Sequence, residues 1–174
     1  MPGSKKEAIV FGLIMSYTMT YGMELYNNAI QQGLQAAPGG LSNLGYGVFL
    51  HALQECLFMG VIVFAVSGLL GNRLGARIAN RYWEKGMPLS LYQLLRQGGT
   101  IAVMCPTMSL IASILFSVIL GGASPLQLPA IWVGTLLKNF PMAFFWNFFA
   151  AAPFTHWVFG LLVRGRSEPE PRTA

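Results

Sequence analysis

The chain has 174 residues, of which 54% are apolar and only 10% are charged, and its net charge is +5. A soluble domain carries roughly 25% charged residues, because water must wet its surface. The composition therefore excludes an ordinary soluble domain. The placement of the basic residues along the chain explains their excess better than nucleic-acid binding does.

Four apolar stretches are long enough to cross a bilayer core about 30 Å thick, which needs roughly 20 apolar residues in a helix. Their approximate bounds are Ala8–Ile30, Val48–Leu70, Ile101–Leu120 and Ala130–Pro153. Backbone groups in lipid must be hydrogen-bonded within their own segment, so these stretches should be helices. The sequence predicts an all-α bundle of four membrane helices, and it favours a retained first span over a cleaved signal peptide.

The basic residues flank these stretches on one side. Lys5 and Lys6 precede the first stretch, and Arg164 follows the fourth. Between the second and the third lie Arg73, Arg77, Arg81, Lys85 and Arg96. The connections at about 31–46 and 121–128 hold no Lys or Arg. The positive-inside rule predicts a multi-pass protein of the plasma (inner) membrane with both termini in the cytoplasm.

The central connection carries a basic stripe, in which Arg73, Arg77 and Arg81 recur every four residues beside an apolar stripe. A second amphipathic piece follows at about 89–95. Both pieces are typical of helices that lie at the cytoplasmic interface and attract anionic lipid. A partner-binding surface is the alternative.

An internal duplication is indicated by two short matches. Met15–Met19 and Met104–Met108 both have the pattern Met-x-x-Thr-Met, and the segment that starts at Leu53 is similar to the one that starts at Leu136. Together with the hydropathy pattern, these matches predict two parallel two-helix repeats related by an axis near the membrane normal. The predicted divisions are residues 1–86 with an interfacial helix, residues 87–164, and a disordered tail at 165–174.

Several segments carry a family resemblance: Lys5–Ser16, Gly22-Met23, Tyr26-Asn27 and Asn139–Ala143. With these residues the chain resembles the bacterial domain-of-unknown-function family 2798, whose members are small membrane proteins that often hold two copies of a two-helix unit. The first copy departs from the pattern, since Cys56–Gly60 stands where the second has Asn139–Ala143. The resemblance implies no activity, substrate or catalytic residue.

Ionisable residues inside a membrane are costly, by roughly 2.5–3.5 kcal/mol on insertion scales, and therefore need a reason. Glu24, Glu55 and Lys138 fall inside the apolar stretches, with His51 four residues before Glu55 and Asn139 beside Lys138. These five residues form the predicted polar site. One hypothesis is an outward-opening cavity where Glu24 or Glu55 carries a proton or binds a cation, with Lys138 as counter-ion or substrate anchor. The alternative is a structural Glu55–Lys138 ion pair, placed at matched positions of the two repeats.

The sequence shows no constellation for nucleophilic or metal catalysis and no motif for a cofactor. Cys56 and Cys105 are predicted to be buried thiols, and Met15, Met19 and Met23 form a stripe on the first span. We therefore expect a non-enzymatic transporter-like or channel-like protein, acting as a homo-oligomer because four helices are few for a carrier. A membrane interaction or regulatory protein without transport activity is the alternative.

Overall fold

The computed structural model describes residues 4–33, 45–84 and 86–164, and the described chain is almost entirely helical. The α-helices are α1 (Lys5–Asn28), α2 (Tyr46–Val66), α3 (Asn72–Arg81), α4 (Leu89–Ala112), α5 (Leu128–Trp146) and α6 (Ala152–Arg164). Four π-helical segments continue or join them: Ala29–Gly33, Ser67–Gly71, Ser113–Leu120 and Asn147–Ala151. A short 3₁₀ turn, Pro125–Gln127, precedes α5. The predicted disordered tail at 165–174 lies outside the described residues.

Local sequence signals account for where the helices begin. Ser4 caps α1, because its Oγ accepts a hydrogen bond of 3.2 Å from the backbone nitrogen of Glu7. Pro88 precedes α4, and Pro129 stands in the first turn of α5. The missing N–H of a proline does no harm in the first turn of a helix, since that N–H would have no partner within the helix.

Three helices in the described part of the chain are long and apolar enough to cross a membrane: Lys5–Gln31, Tyr46–Arg81 and Leu89–Leu120. They include the first three predicted spans. The fourth predicted span, Ala130–Pro153, is helical as well, but Lys138, Asn139 and Asn147 lower its hydropathy. The chain is thus an all-α, multi-pass membrane protein with four long helical rods, three of them apolar enough to span a bilayer.

The four rods form a ring in which two of them change neighbour along their length. The rod of α2 and α3 packs against α1 through α2 and against α4 through α3. The rod of α5 and α6 packs against α4 through α5 and against α1 mainly through α6. Helices α1 and α4 therefore face each other across the centre of the ring, which leaves room for a cavity between them.

The predicted interfacial helices are not separate elements. Tyr46–Arg81 is one helix of 36 residues, and Leu89 begins the same helix that continues to Leu120. At 1.5 Å per residue the first is about 54 Å long, which exceeds a bilayer core of about 30 Å. The segment Ser67–Gly71 continues the helix in π-form rather than breaking it, so the basic stripe lies on an extension of the span. Arg73, Arg77 and Arg81 are exposed there. We call the end of the ring that holds this stripe, the start of α1 and the start of α4 the basic end.

The first and third rods each bury one face, with a buried residue every four positions. These residues are Ser16, Thr20, Glu24 and Asn28 on the first rod and Ile101, Cys105, Ser109 and Ser113 on the third. A π-helical segment continues the second rod at Ser67–Gly71 and the fourth at Asn147–Ala151. The two parallel repeats and the domain division at residue 86 stay predictions.

Candidate functional site

A cavity of about 470 Å³ lies inside the ring between α1 and α4. One face of α1 from Ala8 to Asn27 lines it, and the corresponding face of α4 from Gln93 to Ala112 lies opposite. At 1.5 Å per residue the lining face of α1 is about 28 Å long. The cavity is therefore a narrow slot along most of the bundle and not a compact pocket.

The wall of the slot is mainly apolar, and much of it is methionine. Six methionine side chains line it, three of them the predicted stripe on α1: Met15, Met19, Met23, Met59, Met104 and Met108. Methionine is unbranched and polarizable, so such a wall adapts its shape to different apolar surfaces. Arg96, Gln93 and Gln97 line the slot at its basic end.

Glu24 lines the slot near the end away from Arg96, and the side chain is only 8% exposed. Its carboxyl group lies beside that of Glu55. Glu24 and Glu55 together therefore form a carboxyl pair beside the slot.

Asn28 supports this carboxyl pair from α1. Its Nδ2 donates to Oε2 of Glu55 at 2.6 Å and to the backbone oxygen of Glu24 at 3.1 Å. Asn28 is itself buried. The amide thus fixes α2 against α1 at the level of the two carboxyl groups.

Two buried amide oxygens, on α5 and on the segment that follows it, have no hydrogen-bond partner among the described residues. They are Oδ1 of Asn139 and Oδ1 of Asn147, and each side chain is 5% exposed and lines the slot. Nδ2 of Asn147 donates to Sδ of Met19 at 3.5 Å. A buried acceptor without a partner costs about 1–3 kcal/mol, so each such atom needs an explanation.

Two hydroxyl groups near the slot use their hydrogens on the backbone. Thr20 Oγ1 donates to the oxygen of Ser16 at 2.7 Å, and Ser113 Oγ donates to the oxygen of Ser109 at 2.7 Å. Thr20, which lines the slot near Glu24, therefore presents only lone pairs to it. Donor groups line the slot at its basic end, where Arg96, Gln93 and Gln97 lie.

The structure brings together part of the predicted site. Glu24 and Asn139 line the slot, and Glu55 contacts Glu24 from α2. His51 and Lys138 are exposed and do not line it.

The alternative of a structural Glu55–Lys138 ion pair is wrong. Glu55 accepts a hydrogen bond from Asn28 and lies beside Glu24. The backbone oxygen of Lys138 accepts a hydrogen bond of 3.3 Å from Oη of Tyr26, and the Lys138 side chain is exposed. The reason is topological, because α5 packs against α4 and α1 while Glu55 lies on α2.

Sequence reasoning missed Asn147. It lies eight residues after Asn139, with the slot-lining Ala143 halfway between them. Side chains at this spacing share one helix face, so the pair of asparagines was a usable signal. Across the part of the chain that the structure describes, no group of three His, Cys, Asp or Glu side chains could hold a metal ion.

A comparison with known protein families finds a match to the first half of the chain. Residues 4–85 match the model of a family described as a domain of unknown function, DUF2798. The first half of the chain is a DUF2798 domain. The family resemblance is thereby confirmed over α1, α2 and α3, and for the second half it stays a prediction. No curated protein and no solved structure matches the chain.

The site divides between the DUF2798 domain and the second half of the chain. The carboxyl pair of Glu24 and Glu55, with Asn28, belongs to the DUF2798 domain. The unpartnered oxygens of Asn139 and Asn147 lie beyond it. The slot therefore depends on both halves.

Proposed function

We propose that this protein is a small transporter-like or channel-like membrane protein that moves a cation or a proton through the slot, without enzymatic activity or a cofactor. The observation that carries this proposal is the slot itself, which contains the buried carboxyl group of Glu24 at the end away from Arg96. A carboxyl group at this end, with no basic side chain of the described residues lining the slot beside it, favours a species that is positively charged.

The proposal includes four membrane-spanning rods, the fourth being α5 with α6. Asn139 and Asn147 of this rod line the slot and are buried, and so they are kept away from lipid. Lys138 is exposed, and its long apolar stem allows the ammonium group to reach toward the membrane surface. The change of neighbour along the second and the fourth rods supports the duplicated, parallel arrangement of the two halves.

A proton–cation exchange follows from the carboxyl pair. In the proposed mechanism Glu24 and Glu55 share one proton while the slot is empty, because two negative charges side by side are unfavourable. A cation that enters favours the ionised form of Glu24 and so releases that proton. In this mechanism one binding event couples cation entry to proton release, and raising the pH should strengthen cation binding.

The proposed orientation puts the basic end in the cytoplasm of a cell whose plasma (inner) membrane holds the protein. Arg73, Arg77 and Arg81 are exposed on α3 and would contact anionic lipid there. We expect a reporter that is active only in the cytoplasm to function when fused after residue 84 and to be inactive when fused after residue 122. Activity at residue 122 and not at residue 84 would contradict this orientation.

Flux through reconstituted protein tests the proposal. Ser109 lines the slot and is 3% exposed, so Ser109→Phe should fill the slot and lower cation-driven proton flux in proteoliposomes to the level of empty vesicles. Ser90→Phe, at an exposed position on the first turn of α4, is the matched control and should retain flux. Circular dichroism of both variants checks that they fold.

Absence of flux in the unmodified protein would favour the alternative of an interaction or regulatory protein. The exposed basic face of α3 is the observation that suits that alternative. Capture of a defined partner that is lost when Arg73, Arg77 and Arg81 are replaced with Gln would then support it.

A further inference from the structure

The two unpartnered amide oxygens of the slot are far apart, and this spacing restricts what can satisfy both of them. Asn139 and Asn147 are separated by eight helical residues, which corresponds to about 12 Å along α5. A bare metal cation is coordinated by oxygens at 2.3–2.6 Å for calcium and closer for magnesium, so one ion cannot contact both. The occupant that satisfies both oxygens must therefore be extended.

The Oδ1 atom of Asn139 lies at the level of the carboxyl pair of Glu24 and Glu55. Tyr26, two residues after Glu24, donates its hydroxyl to the backbone oxygen of Lys138, the residue before Asn139. Glu24 and Asn139 consequently line the slot at similar depth, from the neighbouring helices α1 and α5. A carboxyl group and an amide oxygen at one level of the slot suit a protonated amine, which carries a positive charge and several N–H donors.

The Oδ1 atom of Asn147 lies in a different environment. Asn147 is held by its Nδ2 against Met19, and no acidic side chain lines the slot at this level in the described residues. Its free Oδ1 therefore accepts a hydrogen bond from a neutral donor more readily than it compensates a second charge. Methionines and Ala143 line the slot between the two levels.

We propose that the slot binds an extended organic ammonium that has an apolar middle and a hydrogen-bond donor at each end. The ammonium lies between Glu24 and Asn139, the apolar chain lies against the methionines, and the second donor bonds to Oδ1 of Asn147. This inference rests on the proposed function and names the class of cation that the slot takes.

A series of three probes tests the proposal on purified full-length protein in lipid nanodiscs by isothermal titration calorimetry. The probe 8-amino-1-octanol has an ammonium and a second donor at the required separation. Octylammonium lacks the second donor, and 4-amino-1-butanol is too short to reach it. We expect 8-amino-1-octanol to bind about tenfold more tightly than either of the others, since each lost contact leaves a buried oxygen without a partner.

Two variants test which end of the ligand contacts Asn139 and which end contacts Asn147. Asn139→Leu should weaken 8-amino-1-octanol and octylammonium alike, because both lose the ammonium contact. Asn147→Leu should remove the preference for 8-amino-1-octanol over octylammonium. Neither variant should lower the melting temperature without ligand, because each removes an unpartnered buried oxygen.

Three results would overturn the proposal. One is equal binding of 8-amino-1-octanol and octylammonium to the unmodified protein, and another is a marked fall of the melting temperature in both variants. The third is no binding of any probe. If proton flux persists in that case, only the ligand class is wrong, whereas loss of both binding and flux removes the proposed function as well.

Discussion

Replacing Glu24 with Gln should lower cation-driven proton flux by about tenfold or more, and it should remove the dependence of cation binding on pH. Glutamine keeps the size of the side chain and part of its hydrogen bonding but cannot ionise. Without ionisation at position 24, an entering cation meets no negative charge and displaces no proton. The measurement is proteoliposome flux at several pH values, and we expect flux of the unmodified protein to rise with pH until the shared proton is lost.

The controls for Glu24→Gln separate charge in the slot from charge elsewhere. Glu84→Gln removes an exposed carboxyl group outside the slot and should leave flux unchanged. Glu55→Gln should have an intermediate effect, since Glu55 lies beside Glu24 but does not line the slot. Equal flux in the unmodified protein and in Glu24→Gln would show that this carboxyl group takes no part in transport.

Replacing Gly75 with Leu should destabilise the bundle strongly, because α3 crosses α4 closely at this glycine. A Cβ atom at Gly75 would lie 2.9 Å from the backbone nitrogen and 3.0 Å from the Cα of Thr100. Backbone atoms cannot rotate away as a side chain would, so α3 and α4 must separate. We expect the free energy of unfolding to fall by about 2–3 kcal/mol, the upper part of the range for overpacking.

Gly98 offers a matched control for this change. It is a glycine of α4 close to the same crossing, and a Cβ there would meet nothing within 4 Å. Gly98→Leu should be neutral or mildly stabilising, because leucine favours a helix more than glycine does. The test is thermal unfolding of both variants in one detergent. A lower melting temperature for Gly98→Leu than for Gly75→Leu would contradict the close crossing.

The helical class and three of the membrane spans were predictable from the sequence. Long apolar stretches with basic residues placed consistently at one side are enough to indicate helices that cross a membrane. The extent of α3 was not. A stripe such as Arg73, Arg77 and Arg81 has the same pattern on a separate interfacial helix and on an extended span. The choice depends on whether the chain breaks between Val66 and Asn72, and in this protein it continues in π-form.

Within the site, intramembrane polarity was sufficient to identify Glu24 and Asn139. It could not identify which side chains bond to each other, because depth in the membrane does not say which helices are neighbours. The sequence therefore offered Lys138 as an ion-pair partner of Glu55.

The two native cysteines provide the most direct test of the slot inside the membrane. Cys105 lines the slot, whereas Cys56 is buried between α1 and α2, where its Sγ donates to the oxygen of Tyr17 at 3.5 Å. Their exposed fractions are similar, at 7% and 4%. The measurement is the rate at which 2-aminoethyl methanethiosulfonate, a small ammonium reagent, modifies each thiol in proteoliposomes. The variants Cys56→Ala and Cys105→Ala each leave one thiol to observe. If a cation-accessible slot lies between α1 and α4, Cys105 reacts and Cys56 does not, whereas equal reactivity of the two thiols, or none at Cys105 until the protein is unfolded, would contradict it.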